Sequence, residues 1–242
     1  MAAPADGYTF VVSDCAILTI NPLIYAKLSY KPGDLLPVAM LARAPLFLAV
    51  NAKMPAGTLG EFIAYAKSHP GELNYGSSGV GSVHHLTMEA INRTLHLSMT
   101  HVPFKGVGES VPALIGGHID VSLAAYAALS GAAKDHQIKL LATNGAQRSV
   151  LAPDLPSVAE FIPGFDLAPR IAIFARADTP PSFVRRIAME ATAAITRQDT
   201  AGQLKEIGIE PADDEAEDVA QVIRREMAHV TMAVQVAGLK PQ

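Results

Sequence analysis

The chain has 242 residues, of which 50% are hydrophobic and 17% charged, with a formal net charge of −4 at pH 7. Such a chain is ordered and long enough for one large domain or two small lobes, each with its own core. The acidic balance and the lack of any long Lys or Arg run argue against a nucleic-acid partner. The single cysteine, Cys15, rules out an intramolecular disulfide and a cysteine-built zinc site.

The N-terminus, MAAPADGYTF, has neither the basic nor the apolar region of a signal peptide. The expectation is either a protein that stays inside the cell or a sequence that starts late. No apolar run reaches the roughly 18 residues needed to span a bilayer. Residues 8–13 (YTFVVS) read as a strand ending at Ser13. The turn after it, SDCA, puts Asp14 and Cys15 at the C-terminal end of that strand, where open α/β sheets bind ligands. Cys15 as a nucleophile would need a partner base that the sequence does not identify, so it reads as a small buried residue.

Further strands are expected at 38–42, 46–50, 72–76, 99–103, 119–124, 138–143 and 171–175, with helices at 58–68, 82–95, 108–116 and 125–134. Several strands are continuous apolar runs, as for strands covered on both faces. The rhythm predicts an α/β fold with mainly parallel sheets. In the helix at 108–116, Pro112 is expected in the first turn. The last third is helical. Thr179 is placed to cap a helix with Pro180 in its first turn, and Phe183, Ile187, Ala191 and Ile195 share one face of it. Leu204 and Ile207 mark a second helix stopped by Gly208. A third runs from about Asp218 to Ala237. The acidic run 213–218 reads as its solvated, dipole-favoured entrance.

Two stretches can carry chemistry. Residues 74–86 read NYGSSGVGSVHHL: a strand, a Gly-rich loop and a helix start. Unpaired amides at such a junction, with the positive end of the helix dipole and the hydroxyls of Ser77, Ser78 and Ser82, make an anion cradle. Three sharper motifs fail. The P-loop spacing of Gly76 and Gly81 has Ser82 where Lys belongs, the dinucleotide fingerprint has His84 where its third Gly belongs, and neither serine forms a nucleophile elbow. The bland alternative is a tight turn capping a helix. Adjacent His84 and His85 diverge by about 100° on a helix and make a poor metal pair, so a helix-start histidine bonded to the backbone is expected. His96, His101 and His118 look scattered, with no common set. The second stretch, HVPFKGVGES at 101–110, is another strand-to-helix loop, where Lys105 is either a cation for a ligand or a solvent-exposed lysine.

Taken in order, ADGYTF, INPLIY, LNYGSSGVGSVHHL, HVPFKG, LIGGHID, RSVLAPDLPSVAE and PGF resemble the substrate-binding proteins of tripartite tricarboxylate transporters, the Bug or TctC receptors. The resemblance runs from residue 5 to the C-terminus. It implies a periplasmic, monomeric, two-lobed binder of a small mono- or dicarboxylate, delivering to a membrane permease, with no cofactor and no catalysis. The implied lobes are 1–48 plus 170–242, and 49–169, with crossings near 46–52 and 167–173. Ligand residues implied by motif position are Ser13, Asp14 and Cys15 in the first turn, and Ser77, Ser78, Gly79, Gly81, Ser82 and Lys105.

Several departures are visible. The family begins with a signal peptide, a first strand, a Gly-rich loop and two helices upstream of ADGYTF, so lobe one is expected to be incomplete, with an exposed sheet edge. Asp14 would repel a carboxylate beside it. Ala124 and Ala125 stand where the family carries a polar group. Arg170 replaces an aromatic residue and is either a carboxylate clamp or a hinge-surface arginine. Two other functions stay open: a non-binding remnant, and a hydrolase or transferase using Ser77, Ser78 or Cys15.

Overall fold

The computed structural model describes residues 4–212 and 219–241. The acidic run 213–218 lies outside the described residues. In chain order the elements are β1 (Val11–Asp14), α1 (Ala16–Thr19), α2 (Asn21–Ile24), β2 (Leu35–Arg43), β3 (Leu46–Asn51), α3 (Leu59–Ser68), β4 (Asn74–Ser77), α4 (Val83–Thr94), β5 (Thr100–Pro103) and α5 (Val107–Gly116). There follow β6 (Val121–Ala125), α6 (Tyr126–Lys134), β7 (Ile138–Thr143), β8 (Arg170–Arg176), α7 (Pro181–Ile195), α8 (Gln198–Glu206), β9 (Glu210–Pro211) and α9 (Val219–Ala237).

The chain divides into two compact units. Unit one is Met1–Ala44, Pro169–Thr231 and Lys240–Gln242, and unit two is Pro45–Ala168 and Met232–Leu239. The chain passes between the units at 44/45, 168/169, 231/232 and 239/240. The first comes ahead of the expected 46–52, so β3 belongs wholly to unit two.

Unit one is built on the sheet β1-β8-β2-β9, antiparallel at every pairing. This corrects the expectation of mainly parallel sheets. The returning strand β8 inserts between β1 and β2 and runs against both, an arrangement that no local pattern encodes. Period-two alternation separates its faces. Ala172 and Phe174 join Cys15, Leu18, Met40 and Val222 in one core cluster. Ile173 and Ala175 face a second cluster with Val38, Ala39 and the α7 residues Val184, Ile187 and Ala191. Pro37 sits where the β2–β8 register slips, at a bulge that tolerates its missing N–H. Helix α7 starts one residue later than expected, with Pro180 at the N-cap and Pro181 first, so Thr179 makes no cap.

Unit two holds the five-stranded sheet β5-β4-β6-β3-β7. Strands β5, β4 and β6 are parallel, whereas β3 runs antiparallel to both β6 and β7. All six residues of β3 are buried, which explains the unbroken apolar run from Leu46 to Val50. Phe47, Leu114, Ile119, Ala124 and Leu129 fill the core between sheet and helices. Helix α3 opens on a capping box, with Thr58 and Glu61 each bonding the other's backbone amide. Helix α5 carries Pro112 in its interior rather than in its first turn, because the helix begins at Val107. It ends in left-handed Gly117, as a helix stop requires.

Candidate functional site

The loop between β4 and α4 is set by steric demands. Gly79 and Gly81 take φ of 114° and 79°, a region that side chains disfavour. At Gly76, an added Cβ would lie 2.4 Å from the end of the buried Ile119 side chain, which would have to shift to admit any larger residue. Ser82 is the N-cap of α4. Its hydroxyl accepts from the His85 amide at 3.3 Å and donates to the Gly79 carbonyl at 2.7 Å.

The structure separates the predicted loop groups into two sets. Ser77 is buried, and its hydroxyl lies 2.6 Å from His101 Nε2 and 3.1 Å from both the amide and the carbonyl of Gly79. The Gly79, Gly81 and Ser82 amides bond to Ser77 Oγ, His85 Nδ1 and the Gly79 carbonyl. These groups hold the loop's own shape. The second set faces outward. Ser78 is half-buried with its hydroxyl 2.7 Å from His84 Nδ1, Val80 forms the exposed tip, and the Val83 and His84 amides at the start of α4 have no intrahelical acceptor. Lys105 is exposed near the start of α5, and its amide donates to Glu109 at 3.1 Å.

The imidazoles are held uncharged. Burial lowers His84 to about 4. His101 is also lowered to about 4, by burial and then by neighbouring His85, against an upward pull from Glu89. His85 is lowered by burial against the same pull. His85 bonds the backbone, as its position predicts, but His101 corrects the sequence reading. It is not scattered: the parallel register sets it opposite Tyr75, and its ring stacks on His85 with centroids 3.9 Å apart. Sequence distance hid the pair, because the two rings come from different elements. Among the described residues no cluster of three or more His, Cys, Asp or Glu could hold a metal.

In unit one, β1 and β8 place the other predicted residues. Ser13 pairs with Ala172 in the sheet. The Asp14 carboxylate accepts the Ala16 amide at 2.8 Å. Burial raises its pKa and that bond lowers it. Cys15 is fully buried, and its amide donates to the Arg170 carbonyl at 2.8 Å. Burial, then the charges of Glu226 and Asp14, push its thiol far up, so it holds no thiolate at neutral pH. Arg170 is buried, 3.6 Å from Glu226, whose other oxygen accepts from Thr19 at 2.9 Å.

Similar proteins place this geometry. The model of the tripartite tricarboxylate transporter family receptor, TctC, matches residues 1–239. A UPF0065 protein of Bordetella pertussis is 29% identical over 241 residues, covering 99% of this chain and 75% of the relative. The protein BugT of the same organism is 31% identical over 183 residues, covering 74% of this chain and 56% of its own length. A solved R. palustris protein with adipate is 30% identical at a TM-score of 0.84, covering 100% of this chain and 81% of that one. MatC from Rhodopseudomonas palustris, with bound malate, is 27% identical at a TM-score of 0.75, covering 96% and 81%. The two-lobed α/β fold expected from the sequence is the fold of these periplasmic binding proteins, and the chain belongs to the tripartite tricarboxylate transporter receptor family.

Proposed function

We propose that this chain takes a small mono- or dicarboxylate on the loop of residues 77–82, in the periplasm, as a monomer that hands its ligand to a tripartite permease. Receptors of its family bind small carboxylates and work with such permeases. The observation that carries the reading is the start of α4. Ser82 and the glycines spend their own bonds on fixing the loop, which leaves the Val83 and His84 amides to receive an anion, beside the Ser78 hydroxyl that His84 Nδ1 holds at 2.7 Å. A helix start built this way binds carboxylate without a cluster of arginines. Lys105 adds a nearby cation from the next strand-to-helix loop. The two relatives solved with adipate and malate point to a dicarboxylate. Cys15 and Arg170 serve unit one's own packing in this reading.

Thermal unfolding of the full chain with a carboxylate panel tests it. An acid present at one hundred times its dissociation constant should stabilise the fold by about 2.7 kcal/mol. If no acid in the panel shifts a cooperative melt, the receptor reading fails. The Ser–His distances of 2.6 and 2.7 Å support a second reading, a serine hydrolase. Against it, among the described residues no carboxylate accepts a bond from His84 or His101, so neither ring is oriented as a catalytic base requires. Ser78→Ala separates the two. A receptor loses part of its affinity, whereas a hydrolase loses nearly all turnover of an ester substrate.

A further inference from the structure

We propose that His85 and His101 are positioning residues for the anion loop, holding it ready for ligand only while His85 is uncharged, so that carboxylate binding has an acid limit built into the fold. This rests on the loop being the binding site.

The geometry ties each ring to one end of the glycine turn. His85 Nδ1 accepts the Gly81 amide at 3.1 Å, so that nitrogen is bare and the ring proton sits on Nε2. His101 holds the other end through Ser77, whose hydroxyl bonds Gly79 on both sides. The His85 and His101 rings lie nearly parallel, 13° apart, and the Tyr75 ring is close to parallel with both, its centroid 5.0 Å from His101 and 6.5 Å from His85. A proton on His85 Nδ1 would set a donor against the Gly81 donor and cancel that bond. A charge on both rings at 3.9 Å is worse, because like charges at that distance repel strongly.

The charged groups facing the stack do not remove this limit. Glu89 is buried beneath it and favours the charged rings, but its oxygens already take the Tyr75 hydroxyl at 2.6 Å and Arg93 at 3.5 Å. His84, on the adjacent helix position, is itself held neutral and bonds Ser78. Burial outweighs Glu89 for both His85 and His101.

The test has a ligand-free arm and a binding arm. In nitrogen-15-labelled protein, the imidazole correlations should show His85 with Nδ1 unprotonated at neutral pH. The Gly81 amide should then shift together with His85 as the pH falls, with a midpoint below the ordinary value of about 6.5. A proton on Nδ1, or a Gly81 amide indifferent to that titration, overturns the proposal whether or not any ligand binds. In the binding arm, adipate and malate are titrated against wild type and His85→Asn, whose amide oxygen can accept the Gly81 bond but cannot titrate. Taking the ratio of the two affinities cancels the ligand's own ionisation. Wild type should lose about threefold relative to the variant between pH 7.5 and pH 4.5. A constant ratio, or wild type gaining as pH falls, overturns the proposal. His101→Phe keeps the stack but drops the Ser77 bond. It should weaken binding at every pH, and affinity equal to wild type would reduce His101 to packing. If neither acid binds wild type at pH 7.5, the receptor reading fails while the amide titration still decides the positioning claim.

Discussion

The two units solve the problem of covering a sheet differently. Unit two buries its inner strand β3 completely, and the Phe47, Phe62, Tyr75 and Leu86 side chains are closed off from solvent. Unit one has a four-stranded antiparallel sheet ending in β1, whose residues alternate between half-buried and exposed. Its helices α7 and α8 contain no fully buried residue, and Met189 on α7 is 74% exposed. The better-packed unit also carries the loop that can bind an anion. A binding loop needs a rigid base, and unit two supplies one.

The sharpest way to break this contrast is to empty each core. Phe47→Ala removes a fully buried ring from unit two and should cost about 3–5 kcal/mol. Phe183→Ala, on α7 in unit one, removes a ring that is 38% exposed and should cost about 1–2 kcal/mol. Urea unfolding of both variants checks it. Equal losses would mean that α7 is far better supported than its exposure indicates.

The next largest effect concerns Arg170. Its removal takes a cation from 3.6 Å beside the buried Glu226 carboxylate, so Arg170→Ala should destabilise the protein by about 3 kcal/mol. The sequence alone left two roles for this arginine, a carboxylate clamp or a hinge-surface residue. Comparing melting temperature with ligand affinity discriminates them. A lower melting temperature with affinity retained assigns Arg170 to unit one's interior. An intact melt with lost affinity assigns it to the ligand.

Much of unit two was legible. The run at 138–143 coincides with β7, and 82–95 encloses α4 and its cap, because continuous apolar runs and Gly-Ser junctions are local signals. Unit one was less so. Its strand order depends on β8, which meets β1 some 160 residues away, and its short helices α1 and α2 span four residues each, too few for a period to show. The same limit hid the site's inner layer. Ser77, Ser78 and Ser82 stand out as hydroxyls in a glycine loop, but nothing in the sequence says that Ser77 turns inward. That follows only once His101 is paired across from Tyr75.

Ser82→Ala gives the smallest effect and the most informative one about the loop. Losing an N-cap hydroxyl costs about 1 kcal/mol, since a first-turn amide of α4 loses its acceptor. Here the same hydroxyl also donates to the Gly79 carbonyl, so its loss frees the turn as well as the helix end. If the loop merely punctuates a strand and a helix, melting temperature falls slightly and carboxylate affinity keeps pace with it. If the loop is the anion cradle, affinity falls further than stability, because the Val83 and His84 amides are no longer held in a fixed direction. Ser82→Asp separates direction from charge. Asp caps a helix as well as Ser does and should recover the cap's share of the melt, though not the donation to the Gly79 carbonyl, and its carboxylate would occupy the helix start that the ligand needs. A variant that is stable yet no longer binds adipate or malate would locate the ligand at the start of α4, whereas full binding by it would place the ligand elsewhere.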